Sequence, residues 1–412
     1  MTQTQTSLKH TLKYAARKKD APTVALAFFT FLVLSFPEGL LGVAWPTMRA
    51  TFQVSLDALG TILLVGTAGS IAVSFVSGRL IRWLGLSRFL FFGILVRAIS
   101  LVLYVFSPTW GTLIIAVFVA GMGIGAIDVG INAYFSENHS PRLMNWLHAS
   151  FGVGVTIAPL VMTAILSRGY LWRWGYVVAL GFQVCVIIGY LIFRINWQPK
   201  QTQAATQLPA DASPKGANLH TLRLPVVWLG MVLFFMTSGA EAVIGNWSFS
   251  LLHEIRGISL ETAGLWVSIY WGSFTVGRIL FGLFINNLNL QQVLKVCMVA
   301  VGIGGLLIWL NLAHVVSFLG LALIGFALAP VFPLLVFKIP DYVGKSHAKN
   351  AIGYNFASAS LGLSLLPGLT GILANNFSLE VVGPVVIVAA SVMILINEMI
   401  TQRKQVKVVV KK

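Results

Sequence analysis

The feature that most constrains this chain is a series of long apolar stretches that recur along its whole length. A helix needs about 20 mainly apolar residues to cross the hydrocarbon core of a membrane. Hydrophobic residues make up 57% of the sequence and charged residues 10%, whereas soluble proteins carry roughly 25% charged residues. We therefore expect an all-α membrane protein rather than a soluble one. The twelve predicted spans are 22–46, 55–78, 88–106, 111–135, 146–166, 174–194, 225–251, 260–285, 291–311, 314–337, 351–374 and 380–400.

The net charge of +16 would suit a nucleic-acid-binding protein, but the basic residues are distributed as in a membrane protein. Lysine and arginine collect on the cytoplasmic side of spanning helices. With the N-terminus inside, 22 of the 28 basic residues lie on that side of the predicted spans. We predict that both termini are cytoplasmic, that this side contacts anionic lipids, and that no nucleic acid is bound. The first span is too long for a cleaved signal peptide.

A polar segment at 196–222 contains three prolines and separates two sets of six spans. We predict an N-terminal half at 1–195, a cytoplasmic linker at 196–222, a C-terminal half at 223–400 and a basic cytoplasmic tail at 401–412. Similar residues recur in the two halves at a nearly constant offset, which indicates a duplicated six-helix unit. The matches are Ser55–Gly60 with Ser259–Gly264, Gly78 with Gly282, Gly121 with Gly325, Glu38 with Glu241, Gly154 with Gly362, and Pro159 with Pro367.

The stretches from Gly121 to Tyr134 and from Pro141 to Gly154 resemble the region of helices four and five in the fucose permease branch of the major facilitator superfamily, which includes relatives of the sodium-dependent glucose transporters. The resemblance implies the major facilitator fold, twelve transmembrane helices in two parallel six-helix repeats, and a monomer. One departure concerns Arg82, four positions after Gly78, where the family usually has an acid. The other is the order of the acids, because the fucose permease has Asp on helix one and Glu on helix four.

Three acids lie deep inside predicted spans, namely Glu38, Asp128 and Glu241. A charge at that depth costs several kcal/mol unless it faces a cavity or a partner. We predict that these acids couple transport to protons, because a carboxyl group that is protonated when desolvated and ionised when hydrated can carry a proton between two conformations. The alternative is an internal ion pair with Arg97 or Arg278, the two basic residues deep inside spans. The repeat places Glu38 and Glu241 at similar depth.

Polar and aromatic residues near these acids form the predicted solute site. Carboxylate and amide groups beside aromatic rings suit sugars, which present both hydroxyls and apolar C–H faces. The alternatives are a packed core histidine for His148 and lipid contact for any tryptophan. We predict Gly78, Arg82 and Arg278 as gating residues, with Arg278 otherwise extending its charge to the interface. The predicted solute-binding residues are Asn132, Asn145, His148, Asn246, Trp247, Tyr270, Trp271, Asn355 and Ser358.

The sequence favours a proton-coupled symporter of a monosaccharide or similar small polar solute in the inner membrane of a bacterium, with sodium as the alternative ion. A proton-driven exporter of amphipathic compounds is the second hypothesis, and a receptor without turnover is the third. The glycines at 121, 123 and 125 lie in a span with no preceding strand, so they do not indicate a nucleotide-binding enzyme. No P-loop is present, and the separate cysteines Cys185 and Cys297 predict no disulfide or zinc site. We expect no cofactor, no metal and no enzymatic activity.

Overall fold

The structure is a computed structural model that describes residues 3–139, 141–193, 197, 217–284 and 289–409, with backbone alone for 3–20 and for some further positions. The described residues are helical throughout, apart from short connections. Of the predicted linker 196–222, only Trp197 and a short helix at Ala217–Leu222 lie within these ranges. The first six long helices are α1 (Gln3–Phe52), α2 (Ala58–Leu84), α3 (Leu86–Phe106), α4 (Trp110–Asn138), α5 (Pro141–Leu166) and α6 (Arg173–Phe193).

The remaining long helices also follow the predicted spans. A π-helical turn at Leu251–Ile255 extends α7, and α10 consists of two segments, His314–Leu328 and Val331–Val343. The second six are α7 (Pro225–Ser250), α8 (Leu260–Phe284), α9 (Leu290–Leu310), α10 (His314–Val343), α11 (Lys345–Asn376) and α12 (Val382–Val409). Of the predicted tail 401–412, the helix includes residues up to Val409, and 410–412 lie outside the described residues.

Eleven of these helices, within the described residues, are long and apolar enough to cross a membrane. The exception is α8, whose 25 residues are sufficient in length. Its sequence is less apolar because it includes Tyr270, Ser273, Thr275 and Arg278. These polar groups lie on a helix that packs against the other half of the molecule, which explains why a hydropathy threshold alone misses it.

The packing of the helices repeats between the two halves. In the first half α1 packs on α5 and α6, α4 packs on α2 and α3, and α3 packs on α6. In the second half α7 packs on α11 and α12, α10 packs on α8 and α9, and α9 packs on α12. Each helix pair of the first half thus has its counterpart six helices later, which is the arrangement expected of a duplicated unit.

The two halves meet through the helix pairs α1–α7, α2–α11 and α5–α8. Glycines allow the closest approaches, since a Cβ atom at Gly60 of α2 would lie 2.8 Å from the Cα atom of Gly368 in α11. An ion pair between Arg49 and Glu254 also joins the halves. These contacts lie at the end of the bundle where α1 ends and α2 begins, which we name the closed end.

Toward the opposite end, where α1 begins and α12 ends, the halves separate. In the α5–α8 pair, Gly152 lies against Thr275, and a hydrogen bond of 3.3 Å joins the hydroxyls of Thr156 and Thr275. The apolar core of the first half is a separate cluster here, whereas at the closed end one cluster includes residues of both halves. A cleft between the halves therefore opens at this end, which we name the open end.

Candidate functional site

Glu38 of α1 and Glu241 of α7 lie at the head of the cleft. Four residues further along each helix, Gly42 and Gly245 are in contact across the α1–α7 crossing. Four residues correspond to about one helical turn, or 6 Å along the axis. Both acids therefore lie on the facing sides of α1 and α7, one turn toward the open end from the point where the halves meet.

Glu38 forms an ion pair with Arg97 of α3, with 3.1 Å between Oε1 and Nη2. The Arg97 side chain is only 2% exposed, whereas that of Glu38 is 44% exposed. Arg97 packs closely against α4, because a Cβ atom at Gly123 would lie 2.8 Å from the Arg97 backbone nitrogen. The structure thus shows the ion pair that the sequence left as the alternative for this acid. The pair leaves one side of the carboxylate open to the cleft.

Glu241 is half-buried and differs from Glu38 in having no ion pair among the described residues. The Tyr270 hydroxyl of α8 donates a hydrogen bond of 3.0 Å to the backbone carbonyl of Glu241, which fixes this turn of α7. The Glu241 carboxylate itself accepts no hydrogen bond from any described residue. It interacts electrostatically with Arg278 of α8 over a longer distance.

Arg278 is half-buried, and its guanidinium lies over the ring of Phe274 at 4.2 Å from the ring centroid. Within the described part of the chain its N–H groups have no hydrogen-bond acceptor. It lies seven residues, or about two turns, from Trp271, whose ring packs on Gly245 of α7. Arg278, predicted as a gating residue, is thus on the face of α8 that looks toward α7 and the cleft.

His148 of α5 is close to Arg278 across the cleft. Gly152 contacts Thr275, and His148 and Arg278 each lie about one turn toward the open end from that contact. The two side chains interact electrostatically. The His148 ring packs edge-on against Phe31 at 5.6 Å, as the packed-histidine alternative expects, but it has no hydrogen bond to any described residue.

Asp128 and Asn132 form a polar patch on α4, where the Asn132 amide donates a hydrogen bond of 2.8 Å to the Asp128 carboxylate. Asp128 is exposed. Ile115, which is 61% exposed, lies 13 residues earlier and hence about 140° around the helix from Asp128. The Asp128 carboxyl group and the exposed Ile115 therefore lie on different sides of α4.

Trp247 and Tyr270, both predicted to bind solute, are fully buried in the second half. The Trp247 indole N–H donates a hydrogen bond of 2.9 Å to the carbonyl of Pro367, and its ring packs against Gly371 of α11. The Tyr270 hydroxyl is used by the Glu241 backbone. In this conformation both residues stabilise helix packing and have no surface for a solute.

Asn355 and Ser358 of α11 also face α7 instead of the cleft. The Ser358 hydroxyl donates a hydrogen bond of 2.7 Å to the carbonyl of Met231. Asn355 is 3% exposed, lies against Gly230, and lines a cavity of about 20 Å³. Such a volume is about that of one water molecule. These side chains were predicted from the correct helix, but its rotation places them in the interior of the second half.

Four predicted residues remain, two from the solute-binding set (Asn246 and Asn145) and two from the gating set (Gly78 and Arg82). The Asn246 amide donates a hydrogen bond of 2.8 Å to the Ala242 carbonyl of its own helix. Gly78 is buried in α2, and Arg82 is exposed in the last turn of that helix. The side chain of Asn145 lies outside the described residues. Of the predicted set, the structure brings together Glu38, Glu241, His148, Trp271 and Arg278, whereas Asp128 and Asn132 form a separate polar patch on α4.

The Arg49–Glu254 ion pair across the closed end was not predicted from the sequence. Arg49 is one of only four basic residues on its predicted side of the membrane, and that rarity was the available signal. Its partner was not predictable, because the two residues are separated by 205 positions and Glu254 lies in a π-helical turn. Such turns occur frequently at functional sites.

Comparisons with known proteins agree with this architecture. A family model described as the Major Facilitator Superfamily matches residues 27–335 and 248–407. The human sodium-dependent glucose transporter 1 is 25% identical over 397 residues, covering 84% of this chain and 73% of the relative. The glucose/mannose transporter GlcP of Bacillus subtilis is 23% identical over 362 residues, covering 84% of this chain and 85% of the relative.

A solved structure of a variant of the E. coli fucose:proton symporter, FucP, superposes with a TM-score of 0.64 at 14% identity, covering 92% of this chain and 98% of that one. This likeness confirms the predicted twelve-helix fold. The family consists of integral membrane transport proteins, in agreement with the prediction that the chain is not an enzyme. Because the family model matches nearly all of both halves, the chain belongs to the Major Facilitator Superfamily.

Proposed function

We propose that the protein is a secondary active transporter that moves a monosaccharide or a similar small polar solute together with protons by alternating access. The observation that carries this proposal is the group of ionisable residues around a cleft that opens at one end only. Acids at membrane depth are costly and are usually retained for transport. The names of the relatives support a sugar, because two are glucose transporters and one is a fucose:proton symporter.

The surroundings of the three acids favour Asp128 as the proton carrier. Its only hydrogen bond among the described residues comes from a neutral amide, so a proton can bind without breaking an ion pair. Glu38 would have to leave Arg97 first. We therefore propose that Asp128 carries the proton and that Glu241 contacts the solute, while Glu38 stays paired with Arg97.

We propose that the open end is cytoplasmic, because the excess of lysine and arginine is on that side of the predicted spans. The conformation described above is then the inward-open state of the transport cycle. We further propose that the protein is a monomer in the inner membrane of a bacterium, with its basic side in contact with anionic lipids.

Counterflow in proteoliposomes tests this function. Vesicles loaded with one of a panel of sugars should accumulate the same labelled sugar from outside, and an imposed proton gradient should drive net uptake. A protonophore should abolish net uptake but not counterflow. Counterflow with none of the sugars would contradict the substrate class, and uptake unaffected by the protonophore would contradict proton coupling. Export of amphipathic dyes without any sugar signal would favour the exporter.

A further inference from the structure

Arg278 and Glu241 carry opposite charges and face the same cleft, but their side chains do not form a hydrogen bond with each other. Both are half-buried, and neither side chain has a hydrogen bond or ion pair among the described residues. This is unusual, since a partly buried guanidinium and carboxylate normally form a bidentate pair when they are close enough. Glu38 and Arg97 in the other half do pair, at 3.1 Å.

The two groups lie at different levels along α7 and α8. Trp271 contacts Gly245, and Glu241 lies about 6 Å along the helix axis from Gly245. Arg278 lies about 10 Å from Trp271 in the same direction. The guanidinium lies over the Phe274 ring, and the Tyr270 hydroxyl donates to the Glu241 backbone carbonyl. Both charged groups are partly exposed, and no hydrogen bond or ion pair between described residues spans the space between them.

We infer that the solute occupies this space, with one of its hydroxyls donating a hydrogen bond to the Glu241 carboxylate and accepting one from the Arg278 guanidinium. The inference rests on the proposed function and deepens it. A hydroxyl is both donor and acceptor, so a single group can satisfy both residues. The half-buried ring of Trp271 lies beside the space and suits the C–H face of a sugar ring. His148 of the first half, near Arg278, then reaches the same solute from across the cleft.

This arrangement assigns a substrate class, an uncharged solute with several hydroxyl groups. An amino acid is the competing class, because its carboxylate and ammonium could also pair with Arg278 and Glu241. The aromatic ring beside the space favours the sugar, which has an extended apolar face. A binding panel that contains both sugars and amino acids distinguishes the two classes.

Equilibrium binding to the full-length protein in lipid nanodiscs, followed by calorimetry, tests the inference. A panel of monosaccharides and amino acids identifies what the wild type binds, and the deoxy derivatives of the bound sugar then remove one hydroxyl at a time. We expect Glu241→Gln and Arg278→Lys each to weaken binding of the parent sugar at least tenfold. For the wild type, one deoxy sugar should bind at least tenfold more weakly than the parent sugar. For Glu241→Gln, that deoxy sugar and the parent sugar should bind with nearly equal affinity. Unpaired polar groups of a site discriminate in this way.

Matched controls are Glu261→Gln, an exposed acid in the first turn of α8, and Arg168→Lys, an exposed base after α5. Both should bind the parent sugar within twofold of wild type. Size-exclusion chromatography and melting temperature establish that each variant is folded, and Arg278→Lys retains the charge. Parent affinities of Glu241→Gln and Arg278→Lys within twofold of wild type would overturn the inference while leaving sugar transport intact. Wild-type binding of amino acids instead of sugars, or of neither, would overturn both the inference and the proposed function.

Discussion

Glu38 and Glu241 occupy equivalent positions in the two repeats, but their surroundings differ. Glu38 is in an ion pair with Arg97, which comes from α3 and is almost completely buried. Glu241 faces Arg278, which comes from α8 and remains at a distance. We name the Glu38–Arg97 ion pair of the first half the closed pair. The charges of Glu241 and Arg278 in the second half, which are not in contact, are named the open pair. The acid thus recurs at equivalent positions of the two repeats, whereas the basic residues Arg97 and Arg278 lie on helices that are not equivalent.

The difference indicates a division of tasks between the halves. A closed pair with a buried arginine ties α1 to α3 and contributes to the stability of its half. An open pair has unused donors and acceptors that a ligand can satisfy. Asp128 differs from Glu38 and Glu241, because it has no acidic counterpart in the second half. The residue at the repeat offset of 204 is Phe332.

The largest effect is expected for Asp128→Asn, which removes the acid that has no counterpart. Asparagine keeps the size and the bond to Asn132 but cannot release a proton. Proton-driven accumulation should be lost while sugar counterflow persists at a comparable rate. Both are measured with labelled sugar in proteoliposomes, with Glu137→Gln, an exposed acid in the last turn of α4, as the control. Retained accumulation in Asp128→Asn would assign proton coupling to Glu38 or Glu241.

The second effect concerns the closed pair. Arg97→Met should leave Glu38 without its partner and loosen the contact between α1 and α3. Removing one partner of a fully buried ion pair costs about 3–5 kcal/mol because a buried charge is left uncompensated. Glu38 is 44% exposed and stays hydrated, so we expect a smaller loss, about 1–2 kcal/mol of unfolding free energy. Thermal unfolding of the purified protein gives the measurement. The double variant Glu38→Gln with Arg97→Met should regain most of the stability, and its failure to do so would show that Arg97 stabilises by packing alone.

The smallest effect concerns the Arg49–Glu254 ion pair, one of the contacts that join the halves at the closed end. Arg49→Glu should repel Glu254 and favour opening of that end. The pair is partly exposed, at 32% and 22%, so its loss should shift the conformational equilibrium by about 1 kcal/mol or less. Thiol labelling of a cysteine introduced at the closed end should become several-fold faster. The exchanged variant Arg49→Glu with Glu254→Arg should restore slow labelling, and equal rates in all variants would exclude a role for this pair.

Much of the fold could be predicted from the sequence, because long apolar stretches and a repeat of fixed offset are local signals. Most predicted span ends agree with the helices within a few residues. The larger differences occur where helices continue past the apolar region, as at the end of α2 or the start of α11. The depth of Glu38 and Glu241 likewise followed from the repeat.

The candidate site was predictable only in part, since a helical pattern defines a face but does not identify the neighbour of that face. Trp247 and Ser358 were selected for their helix and chemistry, yet they point into the second half. The pairing of Glu38 with Arg97 depends on how α1 and α3 pack, and the two residues are 59 positions apart. The gap between Glu241 and Arg278 depends on the contact of Trp271 with Gly245, which no sequence pattern specifies.

The most direct test of the division between the halves compares Glu38→Gln with Glu241→Gln, the same change at equivalent positions. We predict that Glu38→Gln lowers the melting temperature by several degrees, because it leaves the buried Arg97 charge without a partner, whereas Glu241→Gln leaves the melting temperature nearly unchanged. Glu241→Gln should weaken sugar binding at least tenfold. Two variants with the same loss of stability and the same loss of affinity would contradict the account.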